Sequence, residues 1–188
     1  MIEIVDYRDS WPAEFRTLAS RLRQGLGALA LRIDHIGSTS VPGLPAKDII
    51  DIQVSVAALS AEVTGALAAI GYTLAEGTWR DHHPPNWRGP DSDWDKFFFW
   101  APSGTRRTNT HVRVLGRANQ RYPLLFRDYL RAHSTTAMAY AELKRRLAEH
   151  LADPARYPDV KDPAVDLIYL AAEDWAATTQ WQPGPPDA

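Results

Sequence analysis

The feature that most constrains the fold is a strand–turn–strand segment between residues 31 and 56. Residues 31–36 (LRIDHI) alternate between apolar and polar side chains, which predicts a half-buried strand. Residues 37–47 (GSTSVPGLPAK) are rich in glycine, proline and hydroxyl residues and predict a turn. Residues 49–56 (IIDIQVSV) are rich in β-branched residues and predict a buried strand. The segment therefore requires a sheet that carries a polar turn between two of its strands.

This turn has the composition of an anion-binding loop. A glycine–serine turn, here Gly37 and Ser38, presents free backbone N–H groups and a hydroxyl that can hold a phosphate. Residues two apart on a strand share a face, so Asp51 and Gln53 point to the same side of the second strand. The pattern predicts that both side chains face whatever the turn holds.

The rest of the chain predicts further strands and helices around this segment. Strands are predicted at 2–5, 72–75, 96–101 and 110–115. Helices are predicted from Ser10 to 27–29, from Ser60 to Gly71, from Pro123 as the first helical residue to Ala132, at 135–152 and at 163–179. This order differs from the regular alternation of a doubly wound sheet. We therefore expect an α+β fold, with a mixed β-sheet flanked by helices and a C-terminal helical cap. The expected organisation is a core at 1–116, a helical region at 117–180 packed on the core, and a flexible tail at 181–188.

Cysteine content and charge exclude several functional classes. The 188 residues include no cysteine, which excludes disulfide scaffolds, zinc ribbons, iron–sulfur clusters and thiol catalysis. The 21 Lys and Arg residues against 23 Asp and Glu give a net charge of −2, which disfavours nucleic acid as a partner. No apolar run is long enough to span a membrane, and the first residues lack the apolar stretch of a signal peptide. We expect a cytoplasmic protein with no membrane partner, and the oligomeric state stays open.

Two common phosphate-binding motifs do not match the turn. A P-loop has four residues between its glycines and a lysine directly after the second, whereas Gly37 and Gly43 enclose five and Lys47 comes too late. A dinucleotide-binding GxGxxG is absent from the sequence. The spacing that does match is the nucleotidyltransferase signature, in which Gly-Ser is followed after about a dozen residues by a strand with spaced carboxylates.

Within that superfamily, the segment IDHIGSTSVPGLPAKDIIDIQV closely resembles the GrpB-like family. The resemblance extends to FRDYLRAH at 126–133, to YAELKRRLA at 140–148 and to the segment around Lys161, and it covers residues 3–178. It implies a polymerase-β-like nucleotidyltransferase core followed by a helical region. It brings no settled biochemical activity with it.

The resemblance also implies roles for particular residues, and the sequence departs from the active pattern at several of them. Gly37 and Ser38 match the superfamily's Gly-Ser, and Asp51 matches its first metal-binding carboxylate, which makes Asp51 a catalytic candidate and a ligand for Mg²⁺. Gln53 occupies the second carboxylate position. The later strand carries His111 and Arg113 where active members place a third acid. Because a two-metal site needs anionic ligands for both ions, we expect at most one Mg²⁺.

Other residues are candidates for binding the substrate. Thr39 and Lys47 lie in the turn and at its border, where a hydroxyl and an ammonium can contact phosphate. Arg113 can form a bidentate contact with a phosphate or carboxylate. Tyr140 and Lys144 are four residues apart and share a helix face that can close the pocket.

Two further segments suggest ligand binding without specifying it. Residues 101–131 contain seven arginines and a single acid, which indicates either an anionic ligand at this end or a solvated face with partners elsewhere in the fold. Residues 78–95 are rich in tryptophan and histidine and lack periodicity, which predicts an ordered loop or a lid that stacks on a base or sugar.

The sequence supports three functional hypotheses. The first is a nucleotidyltransferase-like protein that binds a nucleotide or another phosphorylated small molecule and transfers a nucleotidyl group to a small acceptor with Mg²⁺. The second is a non-catalytic nucleotide- or anion-binding module with a degenerate metal site, which Gln53 favours. The third is a metal-independent transferase or hydrolase in which His111 acts as general base, and thus as a catalytic residue.

Overall fold

The structure is a computed structural model that describes residues 2–85 and 87–188. Five strands form one mixed sheet in the order β1-β2-β5-β4-β3. The strands are β1 (Arg32–Ile36), β2 (Ile50–Val56), β3 (Thr73–Leu74), β4 (Lys96–Trp100) and β5 (Thr108–Val114). The helices are α1 (Trp11–Leu26), α2 (Ala61–Ala69), α3 (Ala118–Ala132), α4 (Ser134–His150) and α5 (Tyr157–Thr179). Only the β2–β5 pair is parallel among the described strands, and the α+β architecture expected from the sequence is confirmed.

The two faces of the sheet differ in what covers them. One face packs against α1 and α2, and the alternating apolar residues of β2, such as Ile50, Ile52 and Val54, are fully buried there. The opposite face carries the polar residues of β2 and β5 and meets the C-terminal helices. Those helices have a separate apolar cluster, centred on Leu125 and Ala172. The polar face therefore lies between two apolar cores.

The largest differences from the sequence-based expectation concern three elements. Residues 2–5 do not form a strand, because Val5 makes only an isolated bridge to Ala46. Pro123 lies inside α3, which begins at Ala118 after an extended Arg117. A proline there removes one backbone donor from a helix that is otherwise continuous. The prediction that Pro123 is the first residue of the helix is therefore wrong. Helix α5 begins six residues earlier than expected, at Tyr157.

The segment at 181–188, expected to be a flexible tail, makes defined contacts with β1. The Asp187 carboxylate accepts hydrogen bonds from the backbone N–H of His35 at 2.9 Å and from Arg127 Nη1 at 2.7 Å. The backbone N–H of Ala188 donates to the Ile33 carbonyl at 3.1 Å. The tail thus satisfies polar groups on the outer edge of β1, and its flexibility stays a prediction. The division of the chain at 116/117 stays a prediction.

No helix in the described part of the chain is long and apolar enough to cross a membrane.

Candidate functional site

The glycine–serine turn approaches β2 closely because it contains Gly37. Gly37 has a φ of +69°, a conformation that side-chain-bearing residues rarely adopt. A Cβ at this position would overlap with the Asp51 carboxylate. Ser38 begins a short 3₁₀ turn, Ser38–Ser40, which is closed by a hydrogen bond from Ser40 N to the Gly37 carbonyl. The sequence therefore places the Ser38 turn directly beside Asp51.

The strand register brings the polar candidates to one face of the sheet. Asp51 pairs with Asn109 and Gln53 pairs with His111 in the parallel β2–β5 ladder. Directly paired residues point to the same side of a sheet, and residues two apart do too. Asp51, Gln53, His111 and Arg113 consequently share a face, as the alternation in the sequence predicts.

Asp51 is held at the floor of a pocket of about 490 Å³. Its carboxylate accepts a 2.7 Å hydrogen bond from Asn109 Nδ2. Burial raises the pKa of Asp51, while the Asn109 hydrogen bond and the charges of Lys161 and other nearby cations oppose that rise. The pocket therefore has a carboxylate, that of Asp51, directly beside the Ser38 turn.

Lysines from the C-terminal helices form the opposite wall of this pocket. Lys144 of α4 is 3% exposed and donates to Ser38 Oγ at 2.9 Å and to the Pro45 carbonyl. Burial, followed by the positive charge of Lys161, lowers the pKa of Lys144 to about 7. Electrostatic attraction to the Tyr140 phenol raises the pKa of Lys161, against the effect of burial.

At the border of the turn, Lys47 also lines the pocket. Its ammonium lies 3.9 Å from the centre of the Tyr157 ring at the start of α5. Burial and the charge of Lys161 lower the pKa of Lys47. Six of the sequence-predicted residues thus line the pocket: Ser38, Lys47, Asp51, His111, Tyr140 and Lys144.

Arg113 and Gln53 do not line the pocket, although they share its face of the sheet. Arg113 Nη1 donates to Gln53 Oε1 at 2.7 Å, and Gln53 Nε2 donates to the Gln120 carbonyl of α3 at 3.0 Å. Arg113 also makes a two-point contact with Asp81, at 2.8 and 3.0 Å. Both side chains are buried and hydrogen-bonded within the fold, so neither has a donor directed at a ligand in the pocket.

Thr39 is a second predicted ligand that lies elsewhere. It is 1% exposed, and its hydroxyl lies 3.0 Å from His35 Nε2. Its contact is thus with the strand that precedes the turn, on the side of the turn away from Asp51.

The surroundings of His111 oppose a role as general base. Its Nδ1 lies 3.2 Å from Arg113 Nη2 and 3.5 Å from Lys96 Nζ, and both of these groups are donors. Burial and the two positive charges lower the pKa of His111 well below its usual value. A ring nitrogen that faces two cationic donors cannot readily take up a proton. This arrangement weakens the metal-independent hypothesis.

The residues in the pocket do not fit a resident metal centre. A two-metal site needs several oxygen ligands from carboxylates, and the residues described by the structure contain no group of three His, Cys, Asp or Glu that could hold an ion. Gln53 is occupied by Arg113 and Gln120, and Asp81 is paired with Arg113 and Lys96. Asp51 is the only predicted ligand that remains, and lysines surround it.

Most of the arginines between residues 101 and 131 form ion pairs within the protein. The carboxylate partners are Glu14 and Asp48 for Arg106, Asp81 for Arg113, Glu173 for Arg121, and Asp128 for both Arg127 and Arg131. For Arg106, Arg113 and Arg121, and for Arg127 through a second ion pair with Asp187, the alternative of partners elsewhere in the fold is the correct interpretation.

Sequence reasoning missed several residues of the site. Asp81 comes from the segment 78–95, which has no periodicity, and its partners Lys96 and Arg113 are distant in sequence. Asn109 could have been found, because it is two residues before His111 on the same strand and must share its face. Lys161 also lines the pocket, and in the sequence it is marked only by the segment that resembles the family.

Comparisons with known proteins are consistent with this geometry. A family model described as GrpB protein matches residues 1–170. A protein named dephospho-CoA kinase from Mycolicibacterium paratuberculosis is 37% identical over 198 residues, covering 97% of this chain and 48% of that protein. A UPF0157 protein from Halalkalibacterium halodurans is 38% identical over 176 residues, covering 91% of this chain and 82% of that protein. The chain thus spans about half the length of the first of these relatives.

Solved structures share the fold. The crystal structure of conserved protein GrpB from Enterococcus faecalis has a TM-score of 0.72 and 29% identity, covering 92% of this chain and 99% of that one. Cid1 in complex with its short product ApU has a TM-score of 0.50 and 15% identity, covering 76% of this chain and 42% of that one. The second likeness concerns the fold alone, and it confirms the nucleotidyltransferase-like architecture.

Proposed function

The chain belongs to the GrpB family, and from the charges around its pocket we propose that it binds a nucleotide or another phosphorylated small molecule there. In this proposal the phosphate groups lie between the Ser38 turn and the lysines of α4 and α5. The protein then acts as a nucleotidyltransferase-like binding module, in which the second carboxylate of an active metal site has been lost.

The observation that carries the proposal is the environment of Lys144. This ammonium is almost completely buried, and both of its hydrogen-bond partners are neutral oxygens, those of Ser38 and Pro45. A buried ammonium whose hydrogen-bond partners are all neutral is costly, and burial lowers the pKa of Lys144 to about 7 although the charge of Asp51 opposes this. A phosphate in the pocket supplies the missing negative charge.

Two neighbouring lysines support the same interpretation. Lys47 and Lys161 line the pocket together with Lys144, and they reach it from three different elements of the chain. Ammonium groups that converge with a Gly-Ser turn are suited to several phosphate oxygens at once. The lining has four lysines, with Lys96 as the fourth, against the three carboxylates of Asp51, Asp81 and Asp162, so the lysines are in excess.

A second candidate function is transfer of a nucleotidyl group, which the retention of Asp51 beside the turn favours. This function would need metal ligands beyond Asp51, and the side chain of Gln53 is engaged by Arg113 and Gln120. Binding therefore has better support than transfer.

The kinase name of the longer relatives is a weaker guide. The matched region is about half of such a protein, and the turn in this chain does not have P-loop spacing between Gly37, Gly43 and Lys47. We therefore do not propose phosphoryl transfer from ATP for this chain.

The proposal can be tested by calorimetry and thermal unfolding with tripolyphosphate and the four ribonucleoside triphosphates, all in EDTA. A ligand that binds only the native state stabilises it by RT ln(1 + [L]/Kd), which is about 2.7 kcal/mol at a ligand concentration of 100 Kd. Lys144→Met keeps the packing of the side-chain stem and removes the charge. We expect it to weaken binding about tenfold or more, because a charge-assisted hydrogen bond is lost.

Arg146→Ala provides the matched control, because Arg146 is an exposed cation on the same helix and pairs with Glu142. This variant should bind as the wild type does. If no phosphate ligand stabilises the wild-type protein, or if Lys144→Met binds as tightly as Arg146→Ala, the proposal is wrong.

A further inference from the structure

A second, smaller cavity of about 210 Å³ adjoins the phosphate pocket. The two share Ile49 and Asn109 in their linings, and Asn109 is the residue that donates a hydrogen bond to Asp51. A molecule in the smaller cavity would therefore lie next to the Asp51 end of the pocket, away from Lys144. The volume is suited to a ring and too small for a complete nucleotide.

One wall of this cavity is Trp100, at the end of β4. Trp100 pairs with Asn109 in the antiparallel β4–β5 ladder, so both residues point to the polar face of the sheet. The Phe98 ring contacts the Trp100 ring edge-to-face, with centroids 4.6 Å apart. Trp100 nevertheless remains 51% exposed. Its indole is thus supported on one side and accessible on the other.

The other wall is the hairpin turn between β4 and β5, which carries Arg107. The turn is fixed by Gly104, with a φ of +75°, and by the Thr105 hydroxyl, which donates to the Pro102 carbonyl at 2.6 Å. Arg107 is exposed and lines the cavity. Its neighbour Arg106 turns to the opposite side, where it pairs with Glu14. A positive charge is therefore positioned at the rim of a cavity that also has an aromatic wall.

We propose that this cavity binds a second small molecule, a planar aromatic or heteroaromatic ring that carries an anionic group. The ring stacks on Trp100 and the anionic group contacts Arg107, while Asn109 separates this molecule from the phosphorylated one. Stacking of a planar ring on an aromatic side chain and pairing of an anion with a guanidinium are each favourable by themselves. The inference rests on the proposed function, since it treats the neighbouring pocket as the phosphate site.

The experiment uses the full chain, with the pocket first saturated by tripolyphosphate. Quinoline-2-carboxylate is then titrated, because it combines a fused planar ring with one carboxylate, and neutral quinoline serves as the comparison. The readout is the indole N–H resonance of Trp100 in the NMR spectrum, which is assigned by its absence from Trp100→Phe. We expect a saturable shift of this resonance with quinoline-2-carboxylate. Quinoline should bind at least about tenfold more weakly.

Variants separate the two contacts. Arg107→Ala should weaken quinoline-2-carboxylate binding about tenfold. Trp100→Ala should weaken it more than Trp100→Phe, which retains a smaller ring, when binding is followed by calorimetry. Arg16→Ala, which removes an exposed arginine from α1, should have no effect. The Trp100 and Arg16 variants should bind tripolyphosphate as the wild type does, and Arg107→Ala is saturated with tripolyphosphate before the titration.

The outcomes distinguish this inference from the proposed function. If tripolyphosphate saturates the protein but quinoline-2-carboxylate gives no shift at Trp100, the second site does not exist and the phosphate site stands. A shift that is insensitive to Arg107→Ala and equal for quinoline also contradicts the inference. If neither tripolyphosphate nor any of the four ribonucleoside triphosphates binds, the proposed function fails, and the inference fails with it.

Discussion

Arg113 Nη1 donates to Gln53 Oε1 across 2.7 Å, so the side chain at the second carboxylate position is bound to an arginine of the neighbouring strand. The amide of Gln53 donates in turn to the Gln120 carbonyl of α3. Both polar ends of Gln53 are thus satisfied inside the protein. The position to which the resemblance assigns a second metal-binding carboxylate here joins the sheet to a helix.

Gln53→Glu should therefore fail to create a metal site. The new carboxylate would pair with Arg113, and it would lose the donor to the Gln120 carbonyl. We expect the free energy of unfolding to fall by about 1–3 kcal/mol, because a buried hydrogen bond is lost and a carboxylate oxygen then faces the Gln120 carbonyl. Urea unfolding measures this change, and Gln24→Glu on the exposed side of α1 is the control. Tight binding of Mg²⁺ by Gln53→Glu in calorimetry would contradict the prediction.

Arg113→Ala should destabilise the fold rather than act on ligand binding alone. The change leaves the Asp81 carboxylate with Lys96 as its remaining cationic partner and leaves Gln53 Oε1 without its donor. Breaking a buried ion pair by removing one partner costs about 3–5 kcal/mol, and we expect the lower end because Lys96 remains. Arg16→Ala should unfold as the wild type does in the same urea titration. A stable Arg113→Ala variant with selectively weakened phosphate binding would show that Arg113 is a ligand.

Binding of tripolyphosphate should be coupled to proton uptake by Lys144. Above pH 7 a fraction of Lys144 is neutral in the ligand-free protein, because its pKa is lowered to about 7. A bound anion raises this pKa, so binding takes up a proton and weakens as pH rises above 7. Calorimetry at pH 8 in two buffers of different ionisation enthalpy should give an uptake of about one proton. Lys144→Met should abolish most of this uptake, and an unchanged value in this variant would exclude Lys144 as its source.

The same pKa predicts how the stability of the ligand-free protein depends on pH. The pKa of Lys144 is lower in the folded state than in the unfolded chain, so the unfolded chain binds more protons above pH 7. The Lys144 contribution to the free energy of unfolding therefore increases with pH. The increase extends from about pH 7, the pKa of Lys144 in the folded protein, to pH 10.5, its pKa in the unfolded chain. Comparison of urea midpoints across this range in the wild type and Lys144→Met isolates that contribution. Parallel curves for the two proteins would contradict the assignment.

Mg²⁺ should bind only together with a phosphate-bearing ligand. Asp51 offers one carboxylate, and Mg²⁺ needs further oxygen ligands that phosphates and water can supply. Calorimetry with Mg²⁺ alone should therefore give no binding heat. Asp51→Asn should bind tripolyphosphate in EDTA about tenfold more tightly, because it removes a negative charge from the pocket. Weaker binding by Asp51→Asn in EDTA would mean that the carboxylate positions the ligand itself.

The fold and the polar face were predictable from local sequence pattern. The hydrogen bonds and ion pairs on that face were not. Period-two alternation placed Asp51 and His111 on one side of the sheet, because a strand offers only two faces. The pairing of Arg113 with Asp81 depends on a loop that has no periodicity, so no local pattern could identify it. The burial of Lys144 likewise depends on where α4 packs, which sequence spacing does not specify.

The contact between the tail and β1 forms late in translation. His35 and Asp187 are separated by 152 positions, so β1 leaves the ribosome long before the residues that satisfy its outer edge. At a synthesis rate of about 5–20 residues per second, that interval is roughly 8–30 seconds. Throughout this time the nascent chain presents an edge strand with unpaired backbone groups, which other extended chains can join. The outer edge of β1 is thus open to mispairing during translation until the segment that carries Asp187 has been made and has paired with it.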